Sequence, residues 1–202
     1  MRKYALFAIG LLVAILARVF DPHKMPPLLD AVSKGNTDTV RRLIDKGADV
    51  NVTIDDGISA LWIAASGGYT DTARLLIEKG ANVNAAARGY QLGHTVLMQA
   101  AGKGHTDITR LLLEHGANIN ATDDSGSTAL MHAALAGRAD TVRLLIERGA
   151  NLDIVNKRGG TALTRATCEG HTNIVNMLKA AGAKEVNTDV NANCNAGSSS
   201  RQ

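Results

Sequence analysis

Apolar residues along most of the chain alternate between two helical patterns. One is short and alanine-rich, with the spacing Leu-x-x-Ala-Ala that begins at Leu61 and again at Leu97. The other is leucine-rich and ends at a Gly-Ala pair. Apolar residues three and four apart share one face of a helix, and glycine suits the left-handed turn that ends one. The pattern therefore predicts pairs of short helices joined by glycine turns.

These helix pairs recur at a nearly constant interval. The glycines of the Gly-Ala pairs are Gly47, Gly80, Gly116, Gly149 and Gly182, separated by 33, 36, 33 and 33 residues. Such a period indicates a repeat protein, in which each unit buries its apolar face against its neighbours. We expect five units over residues 28–184. The fifth should be a cap, because Thr164, Thr167 and Lys179 occupy columns that are apolar in earlier units.

The N-terminus has a different pattern. Residues 1–3 form a short basic segment with Arg2 and Lys3, and an uncharged apolar run extends from Tyr4 to position 17. Its length suits the core of a secretory signal and is short for a membrane span, but an extension to Phe20 leaves a signal-anchor open. We expect an exported protein, periplasmic or extracellular, in which residues 1–20 are a cleaved signal peptide or a membrane anchor. The alternative is a buried first helix of the repeat domain.

Two further segments lack the repeat pattern. Residues 21–27 contain all three prolines of the chain, which predicts a linker between leader and repeats. Residues 185–202 have too few apolar side chains to pack, so we expect a disordered tail.

Composition and charge narrow the classes of partner. With one Trp, three Tyr and two Phe among 202 residues, packing must rest on small aliphatic side chains. The formal charge is +3, but residues 1–17 contribute two of the 22 basic residues and none of the 19 acidic ones, which leaves 20 − 19 = +1. A nearly neutral repeat region does not predict nucleic-acid binding.

No motif for catalysis, metal or cofactor binding is present. The sequence lacks H-E-x-x-H, G-x-S-x-G and the phosphate-binding G-x-x-x-x-G-K-[ST]. Its two cysteines, Cys168 and Cys194, give no metal signature, and a disulfide between them stays open. We expect no enzyme, no cofactor and no metal; a thiol enzyme that uses Cys168 with a nearby His is the remaining alternative.

The units resemble ankyrin repeats, whose pattern is G-x-T-P-L-H-x-A-A-x-x-G-H, followed by a second helix and G-A-D-V-N. One unit fits it at Gly93, Thr95, Leu97, Ala100, Ala101, Gly104 and His105, and another at Gly126, Thr128, Leu130, Ala133, Ala134 and Gly137. The resemblance implies an all-α repeat solenoid of five stacked helix-turn-helix units with hairpin-like connecting loops. The Pro and His of T-P-L-H are absent, and the His position holds Trp62, Met98, Met131 and Thr164. His132 falls one position later, in a column shared with Ile63, Gln99 and Arg165, where we expect a partly exposed helix residue; a partner contact is the alternative.

The resemblance also implies that hairpin tips and exposed inner-helix residues contact another protein. The candidates are Asp55, Asp56, Ile58, Ser66, Tyr90, Gln91, Leu92, His94, Lys103, Asp124, Ser125, Ser127, Leu135, Lys157, Arg158 and Glu169. The tips are acidic in the second and fourth units and basic in the fifth. The spacing of 36 lengthens the third hairpin, whose Tyr90 has the character of an interface anchor.

We therefore expect a monomeric scaffold or accessory factor that binds one exported protein partner. An inhibitor or immunity factor that blocks a toxic or hydrolytic enzyme is the alternative. A membrane tether would run from Tyr4 to Phe20.

Overall fold

The computed structural model describes residues 25–88 and 93–185. Ten α-helices in these residues form five successive pairs, each pair packed on the next. They are α1 (Pro27–Ser33), α2 (Thr37–Asp45), α3 (Ala60–Gly67), α4 (Thr70–Glu78), α5 (Val96–Lys103), α6 (Thr106–Glu114), α7 (Ala129–Leu135), α8 (Ala139–Glu147), α9 (Ala162–Cys168) and α10 (Thr172–Ala180). The predicted all-α solenoid is confirmed. We call the odd-numbered helices inner and the even-numbered helices outer.

Short antiparallel hairpins join the earlier pairs. Strand β1 (Thr53–Ile54) pairs with β2 (Ile58–Ser59), and β3 (Ala86–Ala87) pairs with β4 (His94–Thr95). A 3₁₀ turn, Asp55–Gly57, connects β1 to β2, and Asp56 within it has the left-handed φ of 67°. The β3–β4 hairpin, which belongs to the third unit, has the longer connection because of its three extra residues. Positions 89–92 of this connection are outside the described residues.

Hydroxyl side chains start the inner helices where the family pattern places proline nearby. Ser59, Thr95, Thr128 and Thr161 each accept a hydrogen bond from the backbone amide three residues later. This N-cap satisfies one of the amides that the first helical turn leaves free. The helix starts are therefore defined without proline.

Inner helices end at glycines for a steric reason. Gly104 follows α5 with φ of 82°, a conformation that a side chain disfavours, and a Cβ there would approach Arg138 to 2.8 Å. The first four outer helices carry an acidic residue in the first turn, such as Asp71 and Asp107, after N-cap residues of varied type such as Tyr69 and His105.

Alanine allows the inner helices to approach one another closely. Ala64, Ala65, Ala100 and Ala101 are fully buried, and each inner helix packs more closely on its inner neighbours than the outer helices pack on theirs. Leucines such as Leu112 fill the space between the two layers. The unequal approach bends the array, with the inner helices on its concave side.

The two ends of the array differ slightly from expectation. Helix α1 begins at Pro27, within the predicted linker, because proline is well suited to the first helical position. At the other end Thr167 and Lys179 are exposed, in agreement with a cap, whereas Thr164 is buried against Thr161. The predicted leader, most of the linker and the tail beyond residue 185 are outside the described residues. Within the described ranges, no helix has the length and apolar character needed to cross a bilayer.

Candidate functional site

One side chain from each of four inner helices stands in the same place on the concave side. Ile63, Gln99, His132 and Arg165 each directly precede an inner-helix alanine, and we call these four residues the concave column. Because α3, α5, α7 and α9 pack side by side, the column crosses four units. Each residue in it is of a different chemical type. Gln99 is buried and its Nε2 donates to the Ser66 hydroxyl at 2.8 Å, whereas the other three are partly exposed. The column therefore has three accessible positions that offer different interactions.

In the fourth and fifth units, the side chain in front of the hairpin turn accepts hydrogen bonds from the turn. In the fourth unit this residue is Asp123, whose Oδ1 accepts from the Ser125 amide at 2.9 Å, the Ser125 hydroxyl at 2.7 Å and the Ser127 amide at 2.9 Å. Its Oδ2 accepts from His132 Nε2 at 2.9 Å. One carboxylate thus closes the loop and orients the column residue above it.

Burial and these hydrogen bonds act in opposite directions on Asp123. Burial by itself raises the pKa of this carboxyl, but the hydrogen bonds from His132, Ser125 and Ser127 outweigh it and hold the pKa well below its usual range. The net effect is a carboxylate that stays ionised beside a histidine. This contact is an oriented polar pair in the middle of the concave side.

A second histidine packs against the first. The rings of His94 and His132 meet edge to face, with centroids 4.5 Å apart. The pKa of His94 is lowered to about 4, mainly by burial and secondly by the charge of His132, while Asp123 opposes the shift. Nδ1 of His94 has no hydrogen-bond partner among the described residues. His94 is therefore a neutral packing residue near pH 7.

The fifth unit builds the same turn with a neutral side chain. Asn156 is 4% exposed, and its Oδ1 accepts from the amides of Arg158 and Gly160, both at 3.0 Å. Its Nδ2 donates to the Ser127 hydroxyl at 3.1 Å, which joins the fourth and fifth turns. The column residue here, Arg165, makes no hydrogen bond to the described part of the chain through its guanidinium. Burial, followed by the charge of Arg158, lowers the pKa of Arg165, while Asp123 and Glu169 oppose this.

A recurring contact holds the units at a fixed spacing. The residue before each of the last four outer helices reaches back to a carbonyl at the end of the inner helix of the preceding unit. Tyr69 donates to Ser33, His105 to Ser66, Arg138 to Gly102 and His171 to Leu135, at 3.1 to 3.3 Å. Three side-chain types thus make one contact, which requires only a donor of sufficient length.

The outer surface has no comparable arrangement. A groove between α2 and α4 is lined by charges of both signs, including Asp38, Arg41, Asp71, Arg74 and Glu78. Ion pairs such as Lys79–Asp45 and Arg148–Glu114 link neighbouring outer helices. Charge on this side is largely compensated within the protein.

The fold and its repeating contacts agree with a sequence comparison. The family model for ankyrin repeats, which describes three copies, matches residues 10–87, 28–123 and 117–194. The chain belongs to the ankyrin-repeat family. No curated protein matches the chain. The first match begins inside the predicted leader, so a signal, an anchor and a first repeat helix all remain predictions for that segment.

The missing ankyrin-pattern histidine is replaced in part. At its position Met98 accepts from the Thr95 amide through sulfur at 3.4 Å, and Thr164 shares a hydroxyl contact of 3.2 Å with Thr161. Trp62 Nε1 is buried and has no partner among the described residues. The hydrogen bond of the pattern histidine therefore has no replacement at Trp62 in the described part of the chain.

The predicted contact residues fall into three groups. Exposed side chains are Asp56, Lys103, Asp124, Leu135, Lys157, Arg158 and Glu169. Partly or fully buried ones are Ile58, Ser66, His94, Ser125 and Ser127. Tyr90, Gln91 and Leu92 are outside the described residues, as is the side chain of Asp55. Ser127, at 6% exposure, serves the turn through its contacts with Ser125 and Asn156.

The sequence reasoning did not select the concave column as a binding site. It placed His132 in a variable column and overlooked its contact with Asp123. The available signal was paired variation between the turn and the column: Asp with His in the fourth unit, and Asn with Arg in the fifth.

The described residues give little support to catalysis. They contain no cluster of three His, Cys, Asp or Glu side chains that could hold a metal ion. Cys168 is disulfide-bonded, and a sulfur in a disulfide is not a thiolate nucleophile. Ankyrin-repeat proteins are typically non-enzymatic, which agrees with the expectation from sequence.

Proposed function

We propose that this ankyrin-repeat protein is an exported, non-enzymatic accessory factor that binds one protein partner across its concave side. Ankyrin repeats in general mediate protein–protein interaction. Export is supported by the basic start and apolar run of the first 17 residues. The partner would be a periplasmic or extracellular protein.

One observation carries this proposal: the concave column presents three unlike side chains on closely packed helices. Ile63, His132 and Arg165 are partly exposed, whereas Gln99 between them is buried. A rigid surface binds with a smaller loss of conformational entropy than a mobile one. Differences between neighbouring positions, from Ile63 to Arg165, give such a surface selectivity. Exposed Leu135 and Val155, the large apolar side chains most accessible in the described residues, add apolar area for a partner.

Site-specific photo-cross-linking in the protein's own cell tests this function. A benzophenone side chain would replace Lys103 on the concave side or, as the control, Arg110 on outer helix α6; both residues are exposed. We expect one discrete cross-linked protein from position 103 and none from position 110. Equal cross-linking from both positions, or none from either, would contradict the proposal.

The activity of the cross-linked partner distinguishes a scaffold from an inhibitor. If the cross-linked partner is a hydrolytic or toxic enzyme, its activity is measured with and without this protein at equal concentrations. Preserved activity supports the accessory factor, whereas abolished activity supports the immunity factor.

Export requires a separate measurement. The intact mass and cell fraction of the protein distinguish a soluble chain without the leader from a full-length chain in the membrane fraction. Either result supports export. A full-length cytosolic chain would contradict it.

A further inference from the structure

Arg165 is the arginine of the concave column, and its side chain makes no hydrogen bond within the described residues. It lies on α9, is partly buried, and its Nε would be 3.8 Å from a Cβ at Gly160. A partly desolvated guanidinium that lacks acceptors has lost part of its hydration without replacement. Such a group gains from an acceptor supplied by another molecule.

The nearby carboxylates do not supply that acceptor. Asp123 already accepts three bonds on Oδ1 and one from His132 on Oδ2. Glu169 is exposed at the end of α9 and forms no ion pair with Arg165 in the described residues. Both act on Arg165 only through space. The positive charge is therefore not neutralised by a direct contact.

The adjacent hairpin strengthens the positive potential at this end of the column. Lys157 and Arg158 are exposed at its tip, and Arg158 acts on Arg165 through its charge. Asn156, which replaces the Asp of the preceding turn, adds no negative charge. This end of the concave side therefore combines the partly buried guanidinium of Arg165 with the exposed cation of Lys157.

We propose that Arg165 binds a side-chain carboxylate of an acidic segment in the protein partner, with Lys157 at the rim. Guanidinium and carboxylate form paired, charge-assisted hydrogen bonds of defined geometry. This inference rests on the proposed function, because it names the chemistry of the partner segment at the same surface.

A nucleic acid fits the same surface less well. The exposed carboxylates of Asp56 and Asp124 lie in the preceding hairpins, along the row that a long polyanion would have to follow. An acidic segment of limited length can occupy the basic end without crossing them. The sign change along the row thus favours a short acidic stretch of protein.

Nuclear magnetic resonance of the full chain tests the carboxylate site directly. The probes are a short peptide of alternating Glu and Gly and its Gln-Gly counterpart, and the signal is the Nε–Hε resonance of Arg165. We expect the Glu peptide to shift this resonance and the Gln peptide to leave it unchanged. Arg165→Gln should weaken binding of the Glu peptide roughly tenfold, about the effect of one lost charge-assisted hydrogen bond.

Arg110→Gln is the matched control, since Arg110 is an exposed arginine on outer helix α6. It should leave Glu-peptide binding unchanged, and thermal unfolding of both variants confirms that they are folded. The inference is overturned if the Glu peptide does not shift the Arg165 resonance, or if both substitutions weaken binding of the Glu peptide equally. So does a short single-stranded oligonucleotide that shifts Arg165 more strongly than the peptide does.

The two proposals fail separately. Discrete cross-linking at position 103 with no effect of the Glu peptide on Arg165 would retain the protein-binding function and remove the carboxylate site. Peptide binding at Arg165 with no protein cross-linked in the cell would remove the proposed function and leave an acid-binding surface.

Discussion

The fourth and fifth units build the same turn and differ in how they treat charge. Asp123 and Asn156 occupy equivalent positions, and each accepts hydrogen bonds from two turn amides through one oxygen. The column residue of the fourth unit, His132, is hydrogen-bonded to the Asp123 carboxylate. The column residue of the fifth unit, Arg165, makes no such bond to the Asn156 amide within the described residues. The turn therefore requires an oxygen acceptor and not a charge. Where the charge is absent, the column residue makes no side-chain hydrogen bond within the described residues.

The same two units also differ in how their cores are covered. The fourth lies between two neighbours, whereas the described structure continues only briefly past the fifth. Leu130 is 1% exposed and its counterpart Leu163 is 5% exposed. Truncation of equivalent residues should therefore have unequal consequences.

The largest effect is expected from Leu130→Ala. It leaves a cavity enclosed on both sides, so we expect a loss of about 3 kcal/mol in the free energy of unfolding. Leu163→Ala should cost about 2 kcal/mol, because the structure near the end can relax into the space. Urea unfolding of both variants measures the difference. Equal losses would show that the two units are equally constrained.

A somewhat smaller effect is expected from Asp123→Ala. It removes the acceptor for the Ser125 and Ser127 amides and for His132, at a cost of about 2 to 3 kcal/mol. Asp123→Asn is the control, since an amide oxygen serves the same turn in the fifth unit; we expect a loss of about 1 kcal/mol. Thermal unfolding at pH 7 compares them. If Asn is as harmful as Ala, the turn needs the charge and the comparison fails.

The smallest of the three effects depends on pH. The pKa of His94 falls to about 4 in the folded protein from an ordinary value of 6.5, so the unfolded chain binds the additional proton between these values. Stability from neutral His94 is therefore present above pH 6.5 and declines as the pH falls towards 4. Because His94 is partly exposed, we expect a decline of roughly 2 kcal/mol, below the full value of the shift.

The test of this pH effect is the difference in stability between the wild type and His94→Gln. That difference should change between pH 7 and pH 4.5 and be constant above pH 7. Asp123, whose pKa is lowered, keeps its contribution in this window and loses it only in stronger acid. A difference that is constant across the whole range would contradict a neutral buried His94. The fifth unit, with Asn156 and Arg165, adds no comparable titration.

Much of the fold could be predicted because it rests on local signals. The Gly-Ala pairs and the Leu-x-x-Ala-Ala spacing locate the helix pairs, and the glycine before each outer helix locates the inner-helix ends. The outer-helix starts were less clear, because residues as different as Tyr69 and Arg138 fill one position. What they share is a donor that reaches a carbonyl of the preceding unit, which only the stacked structure reveals.

The candidate site was harder to predict because its contacts join residues by their position in space. Ser127 lies in a hairpin, where the resemblance implies a partner contact, yet the Asn156 side chain of the next unit covers it. His132 has an ordinary helix position in sequence, yet it meets Asp123 and His94 together. Exposure and charge compensation depend on how neighbouring units stack.

The sequence by itself determined the repeat, the helix pairs and the family, because helical periodicity and glycine turns act over a few residues. The tertiary structure decided which polar side chains the protein satisfies internally. Asp123 and Arg165 are both charged residues near hairpins in the sequence. Stacking gives the first a full set of donors and leaves the second without an acceptor, because hydrogen bonding depends on distances between units that no local pattern contains.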